Sequence, residues 1–276
     1  MFAFPDLHPR KFTSMHAVIF VAVVAVSIVL GVVRFFRDDV PPTSDVPAVA
    51  YDDVVPEERG PVEVEPIIIP SKPSSNEISA ITSVPAVYNL AVPFTSQAPT
   101  GNWDAVHEET CEEAAVYMVA EYFAGTKSVT LDTADADVAM LDLVAYEEAN
   151  GYGVSVSVTQ LADIIRATFN FTVEVVENPS ADEIKAFIAD GYPVIVPAAG
   201  RTLGNPFFTG EGPLYHMLVI RGYDETHFIT NDPGTRHGAN YLYTFDVLMS
   251  AIHDWNNGDP TTGAARVIVM KPVVRD

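Results

Sequence analysis

The sequence predicts an α+β domain, N-terminal helices packed on a mostly antiparallel sheet, behind an apolar N-terminal helix and a disordered linker. Three observations predict it. An unbroken apolar run occupies residues 17–33, a proline- and acid-rich stretch fills 38–87, and from residue 88 helical periodicity gives way to alternating strand patterns.

The apolar run reads AVIFVAVVAVSIVLGVV, with Arg10 and Lys11 before it and Arg34 and Arg37 after. Its seventeen residues span about 25 Å as a helix, at the short limit for a bilayer crossing. No small-x-small cleavage site follows, so an uncleaved signal anchor is expected over residues 1–37. The basic flanks tie two against two. The short N-terminal flank and large acidic C-terminal part then favour N-inside, C-outside, a single-pass membrane protein with its folded part extracytoplasmic. Residues 38–87 recur in Pro, Asp and Glu, which block helix and central strand and repel one another, so an extended linker is expected.

The remaining 88–276 form one domain. Within 109–123, Cys111, Ala114, Ala115, Met118, Val119 and Tyr122 fall at helical spacing and Gly125 ends the run. Helices follow over 137–149, over 159–168 with Thr159 as cap, and over about 180–190. Strands are expected at 171–177, 193–198, 216–222, 226–231, 240–244 and 265–273, with a short helix over 245–254.

With 37 acidic against 15 basic residues the net charge is -22, so the cation set needed to neutralise phosphates is missing and a nucleic-acid partner is not expected. A single cysteine excludes an internal disulfide and any multi-cysteine zinc site. It leaves Cys111 as a buried structural thiol or a reactive one. The start of a helix stabilises a thiolate, whereas Glu108, Glu109, Glu112 and Glu113 oppose it. Helix geometry turns Glu112 and Glu113 by about 100° and 200° from Cys111, toward solvent.

His216 opens the strand HMLVIRGY and Asp232 closes HFITND, and the two are symmetric about Asp224 in the intervening turn. That symmetry predicts a direct cross-strand pair, a carboxylate orienting an imidazole beside a thiol. His107 precedes Cys111 by four residues and is expected on the loop entering the helix. Trp103, Phe207, Phe208 and Tyr215 are candidate substrate-binding aromatics, the last three from the glycine- and proline-rich segment 200–215.

The segments VPFTSQAPTGNWDAVHEETCEEAAVYMVAEYFAG, GYPVIVPA, YHMLVIRGYD and FITNDPGT resemble the C39-like group of papain-fold cysteine peptidases, from Val92 to the C-terminus. The resemblance implies Cys111 as nucleophile, His216 as base, Asp232 as orienting acid and Gln97 as oxyanion donor. It implies a peptide or protein substrate, with no metal or organic cofactor. Two features depart from the pattern. Relatives such as bacteriocin-leader peptidases keep the glutamine a few residues before the cysteine, whereas Gln97 and Cys111 stand fourteen apart, and Glu112 replaces a common glycine. A silent peptide- or wall-binding module and an amidase or transpeptidase on the same residues are the alternatives.

Overall fold

A seven-stranded antiparallel sheet organises the computed structural model, which describes residues 40–54 and 84–273. The expected membrane anchor at 17–33 lies outside the described residues. Among the described residues no helix is long and apolar enough to cross a membrane.

In chain order the elements are α1 (Tyr51–Val54), β1 (Tyr88–Asn89), α2 (Cys111–Phe123), α3 (Thr133–Asn150), α4 (Val158–Thr168), β2 (Phe171–Glu177), α5 (Ala181–Ala189), β3 (Val194–Ala199), β4 (Tyr215–Tyr223), β5 (His227–Asn231), β6 (Tyr241–Thr244), α6 (Phe245–Ala251) and β7 (Arg266–Pro272). The fold is α+β. The sheet runs β2-β7-β3-β4-β5-β6, with β1 pairing the far end of β4.

Every residue of β3 and β4 is buried, because α2 packs across β4 and α4 covers β2. A strand enclosed on both faces needs apolar residues throughout, which VIVPAA and YHMLVIRGY largely supply. His216 and Arg221 are the charged exceptions on β4. Arg221 donates to Asn89 Oδ1 and the Leu90 carbonyl, joining β1 to the sheet.

Local chemistry moves several helix starts. Asp132 accepts from the Ala134 and Asp135 amides, so α3 begins four residues before the expected 137. Ser157, not Thr159, caps α4 through a capping box with Gln160.

The beginning of the expected linker is docked rather than extended. Thr43 bridges Tyr241 on edge strand β6, where the Leu242 amide donates to the Pro42 carbonyl at 2.9 Å. A proline lacks the N–H but keeps the carbonyl, and an edge strand offers free partners for it. Farther along, Val49 pairs with Leu90, and Tyr51 meets Tyr122 and Phe123 edge-on at 5.5 and 5.0 Å. Composition did not reveal the edge that receives it, nor the short helix α1. The remainder of the linker, 55–83, lies outside the described residues.

Candidate active site

The site lies where the start of α2 meets the start of β4. Residues 98–110 loop out and return, so that Gln97 sits against the helix start despite its distance in sequence. Its Nε2 donates to the His107 carbonyl at 2.9 Å, its carbonyl accepts from Thr110 Oγ1 at 2.9 Å, and its amide donates to the Pro233 carbonyl. Thr110 stands at the N-cap position but spends its hydroxyl on this tie and makes no capping bond. The loop is held by His107, whose Nδ1 and Nε2 lie 2.8 and 2.9 Å from Asp104 and Asp137 carboxylates. Burial would lower the His107 pKa, but the two carboxylates outweigh it and the net direction is up. Sequence reading placed His107 on this loop and missed its clasp, since Asp137 is thirty residues away.

His216 is 1 % exposed and its Nε2 lies 2.8 Å from Asp232 Oδ1. The pairing is not the direct one expected from symmetry. Val219 faces Asn231 and Ile220 faces Thr230, and a bulge at Arg221 shifts the register before the turn. The strands are therefore offset by two residues, and Asp232 reaches His216 diagonally on the same face, still within side-chain range. Asp232 is saturated. Its Oδ1 also accepts from the Gly234 amide at 3.0 Å, and Oδ2 accepts from Tyr243 Oη at 2.6 Å and Asn205 Nδ2 at 3.1 Å. Burial would raise this carboxyl, but the His216 charge and the hydrogen bonds hold it below its ordinary value. Tyr243 and Asn205 escaped the sequence reading because neither belongs to a motif.

Gly234 and Phe208 enclose the imidazole. The Phe208 ring meets His216 edge-on at 5.3 Å, and a Cβ on Gly234 would stand 2.8 Å from His216 Cε1.

Cys111 is 5 % exposed and donates its thiol proton to Glu112 Oε2 at 2.9 Å. Burial foremost, then Glu112 and Glu113, push the thiol well above its ordinary value, while the backbone amide of Met217 pulls the other way. The expectation that Glu112 and Glu113 face solvent is corrected: they are 2 % and 3 % exposed. Glu147 of α3 lies beside the two glutamates, and the Val156 amide donates to Glu112 Oε1. Burial raises Glu112 to about 7, and it also raises Glu113 well above its ordinary value and Glu147 beside them.

Gln97, Cys111 and His216 line one cavity of about 500 Å³, together with Trp103, Phe208 and Tyr215. Phe207 does not line it. It borders a smaller neighbouring hollow with Trp103 and His237. Tyr215 belongs to β4 rather than to a loop, and its hydroxyl donates to the Val156 carbonyl at 3.2 Å. Trp255, which also lines the cavity and packs on Tyr215 at 5.4 Å, was not singled out from sequence. Among the described residues no three His, Cys, Asp or Glu side chains converge as metal ligands.

The α+β fold brings a cysteine, a histidine–aspartate pair and a glutamine to one cleft. The Peptidase_C39 like family model matches residues 89–260, and the chain belongs to that family. A solved structure from Bacillus anthracis assigned to the C39-like peptidases aligns over 68 % of this chain and 98 % of its own, at 16 % identity and a TM-score of 0.45. No curated protein is significantly similar to the chain.

Proposed function

We propose that this chain is a membrane-anchored, extracytoplasmic cysteine peptidase with a papain-like site, hydrolysing peptide bonds through Cys111, His216 and Asp232. The observation that carries the reading is the His216–Asp232 contact of 2.8 Å beside a cleft that Cys111 and Gln97 also line. Asp232 occupies Nε2, which leaves Nδ1 as the nitrogen for the thiol proton. His216 takes that proton, the thiolate attacks the peptide carbonyl, and negative charge develops on the carbonyl oxygen. The Cys111 backbone N–H and the second amide hydrogen of Gln97 stabilise it. Collapse breaks the C–N bond, and the amine leaves with the proton from His216. Water, deprotonated by His216, then releases the acid from the thioester and restores the thiol. Trp103, Phe208 and Tyr215 offer apolar surface for the substrate, with Phe207 farther along.

Cys111→Ala should abolish both peptide hydrolysis and labelling by a thiol-directed acyl-enzyme probe. Unchanged turnover in that variant removes Cys111 from the mechanism. One observation favours a second reading, a silent peptide-binding module: the thiol is buried and bonded to a carboxylate rather than exposed as a thiolate. Saturable peptide binding with no turnover, in both the wild type and Cys111→Ala, would select that reading.

A further inference from the structure

Glu112 is bonded to the sulfur, and the reaction above does not use it. Its Oε2 accepts the thiol proton at 2.9 Å, and its Oε1 accepts from the Val156 amide at 3.4 Å, a long bond. It is 2 % exposed and lines the cleft beside Cys111. A carboxylate in that position favours the protonated thiol twice over: it accepts the S–H hydrogen and repels a negative sulfur. His216 competes for the same proton across the cleft.

We propose that Glu112 is a positioning residue that holds Cys111 in its protonated resting form and sets the pH at which the sulfur becomes nucleophilic, resting on the assignment of Cys111 as nucleophile. Glutamate in its protonated form has the opposite effect, since a carboxylic acid donates to a thiolate. The sulfur and Glu112 therefore titrate as a pair, with one proton shared between them before the second is lost. The surroundings reinforce the resting form. Glu113 lies beside Glu112 on α2 and Glu147 faces it from α3. Tyr215 approaches from β4, with Asp254 beyond it, and Glu108, Glu109 and His216 share the cleft. No lysine or arginine lines that cleft to offset these carboxylates. Burial pushes Glu112 to about 7, so above that pH it is the carboxylate against which the thiol must ionise.

Alkylation of the full chain by iodoacetamide, followed against pH, tests the proposal without a peptide substrate. In the wild type the onset of alkylation should lie above the ordinary thiol value of about 8.5. Glu112→Gln, which replaces the repelling acceptor by a group able to donate to sulfur, should move the onset down by at least about one pH unit, about tenfold faster labelling at pH 7. Glu112→Ala should shift it in the same direction by less. A wild-type onset at or below the ordinary value overturns the proposal, and so does an unchanged or slower profile in the two variants. Thermal melts establish that each variant is folded, and where neither folds the wild-type profile alone decides. A chain that cuts no peptide yet shows these alkylation shifts keeps this inference and loses only the peptidase reading.

Discussion

The two sides of the candidate site are built on opposite electrostatic terms. On the strand side, Asp232 is completely buried yet accepts four hydrogen bonds, and its carboxyl is held below the ordinary value. On the helix side, Glu112, Glu113 and Glu147 crowd behind Cys111, all raised by burial. Glu113 Oε2 and Glu147 Oε1 find no hydrogen-bond partner among the described residues. A buried charge is tolerable where donors surround it and expensive where they do not. The strand side is thus arranged to keep a negative charge, and the helix side to keep protons.

That contrast predicts the largest effect at Asp232. Removing it leaves His216, Tyr243 and Asn205 without their shared acceptor, and breaking a buried pair this way costs about 3–5 kcal/mol. Asp232→Ala should show that loss in a urea unfolding curve and lose hydrolysis as well. Asp232→Asn keeps the shape and some acceptor capacity, so it should unfold later than the alanine variant while hydrolysis still falls. Equal midpoints for the two variants would mean that the carboxylate charge and its bonds contribute little.

Gly234→Ala comes next. Its new methyl would meet His216 Cε1 and Phe208 Cε1, each at 2.8 Å. Overpacking of this kind costs about 1–3 kcal/mol. The imidazole must move away from its place, so hydrolysis should fall by more than the melting shift suggests. An active, equally stable variant would show that His216 has room to shift.

The two sides also pull stability in opposite directions with pH. Asp232, lowered, contributes stability that is present above the ordinary carboxyl value and lost in acid. Glu112, Glu113 and Glu147, raised, contribute stability that is complete below 4.5 and lost as pH climbs through their folded values, about 7 for Glu112. The melting temperature should therefore decline from about pH 5 to pH 8. Glu113→Gln, which removes one buried charge and can donate to Glu147, should flatten that decline. A wild-type melting temperature that rises over this range would break the contrast.

How much of this was visible in the sequence divides along the same line. Periodicity located nearly every helix and strand of the domain, because β3 and β4 are apolar but for His216 and Arg221 and α2 and α4 carry regular apolar faces. That Cys111 opens α2, His216 stands near the start of β4 and Asp232 follows β5 was also readable. Their partners were not. Tyr243, Asn205 and the Gly234 amide meet Asp232 through register, and a bulge at Arg221 sets that register. Burial of Glu112 and Glu113 depends on what covers the first turn of α2, which local helix geometry leaves open. The docking of residues 42–44 depends on the exposed edge of β6, some two hundred residues farther along the chain.

The smallest effect concerns His107, which lies outside both sides and fixes where they meet. It is the mirror of the helix-side acids, a cation held by two carboxylates rather than carboxylates left without donors. Its pKa is raised by Asp104 and Asp137 against the effect of burial. The stability it contributes is therefore fully present below the ordinary histidine value of 6.5 and lost as pH rises through the higher folded value. Asp137→Asn removes one of the two carboxylates and keeps a side chain of the same shape on α3. Because Asp137 is partly exposed, the loss should be about 1 kcal/mol or less. Melting temperatures of wild type and variant should differ at pH 5.5 and converge as pH rises through the folded value and the imidazolium loses its proton. The same variant should loosen the loop that returns Gln97, so hydrolysis at pH 5.5 should fall modestly. A melting difference independent of pH would mean that Asp137 serves the packing of α3 and not the charge on His107.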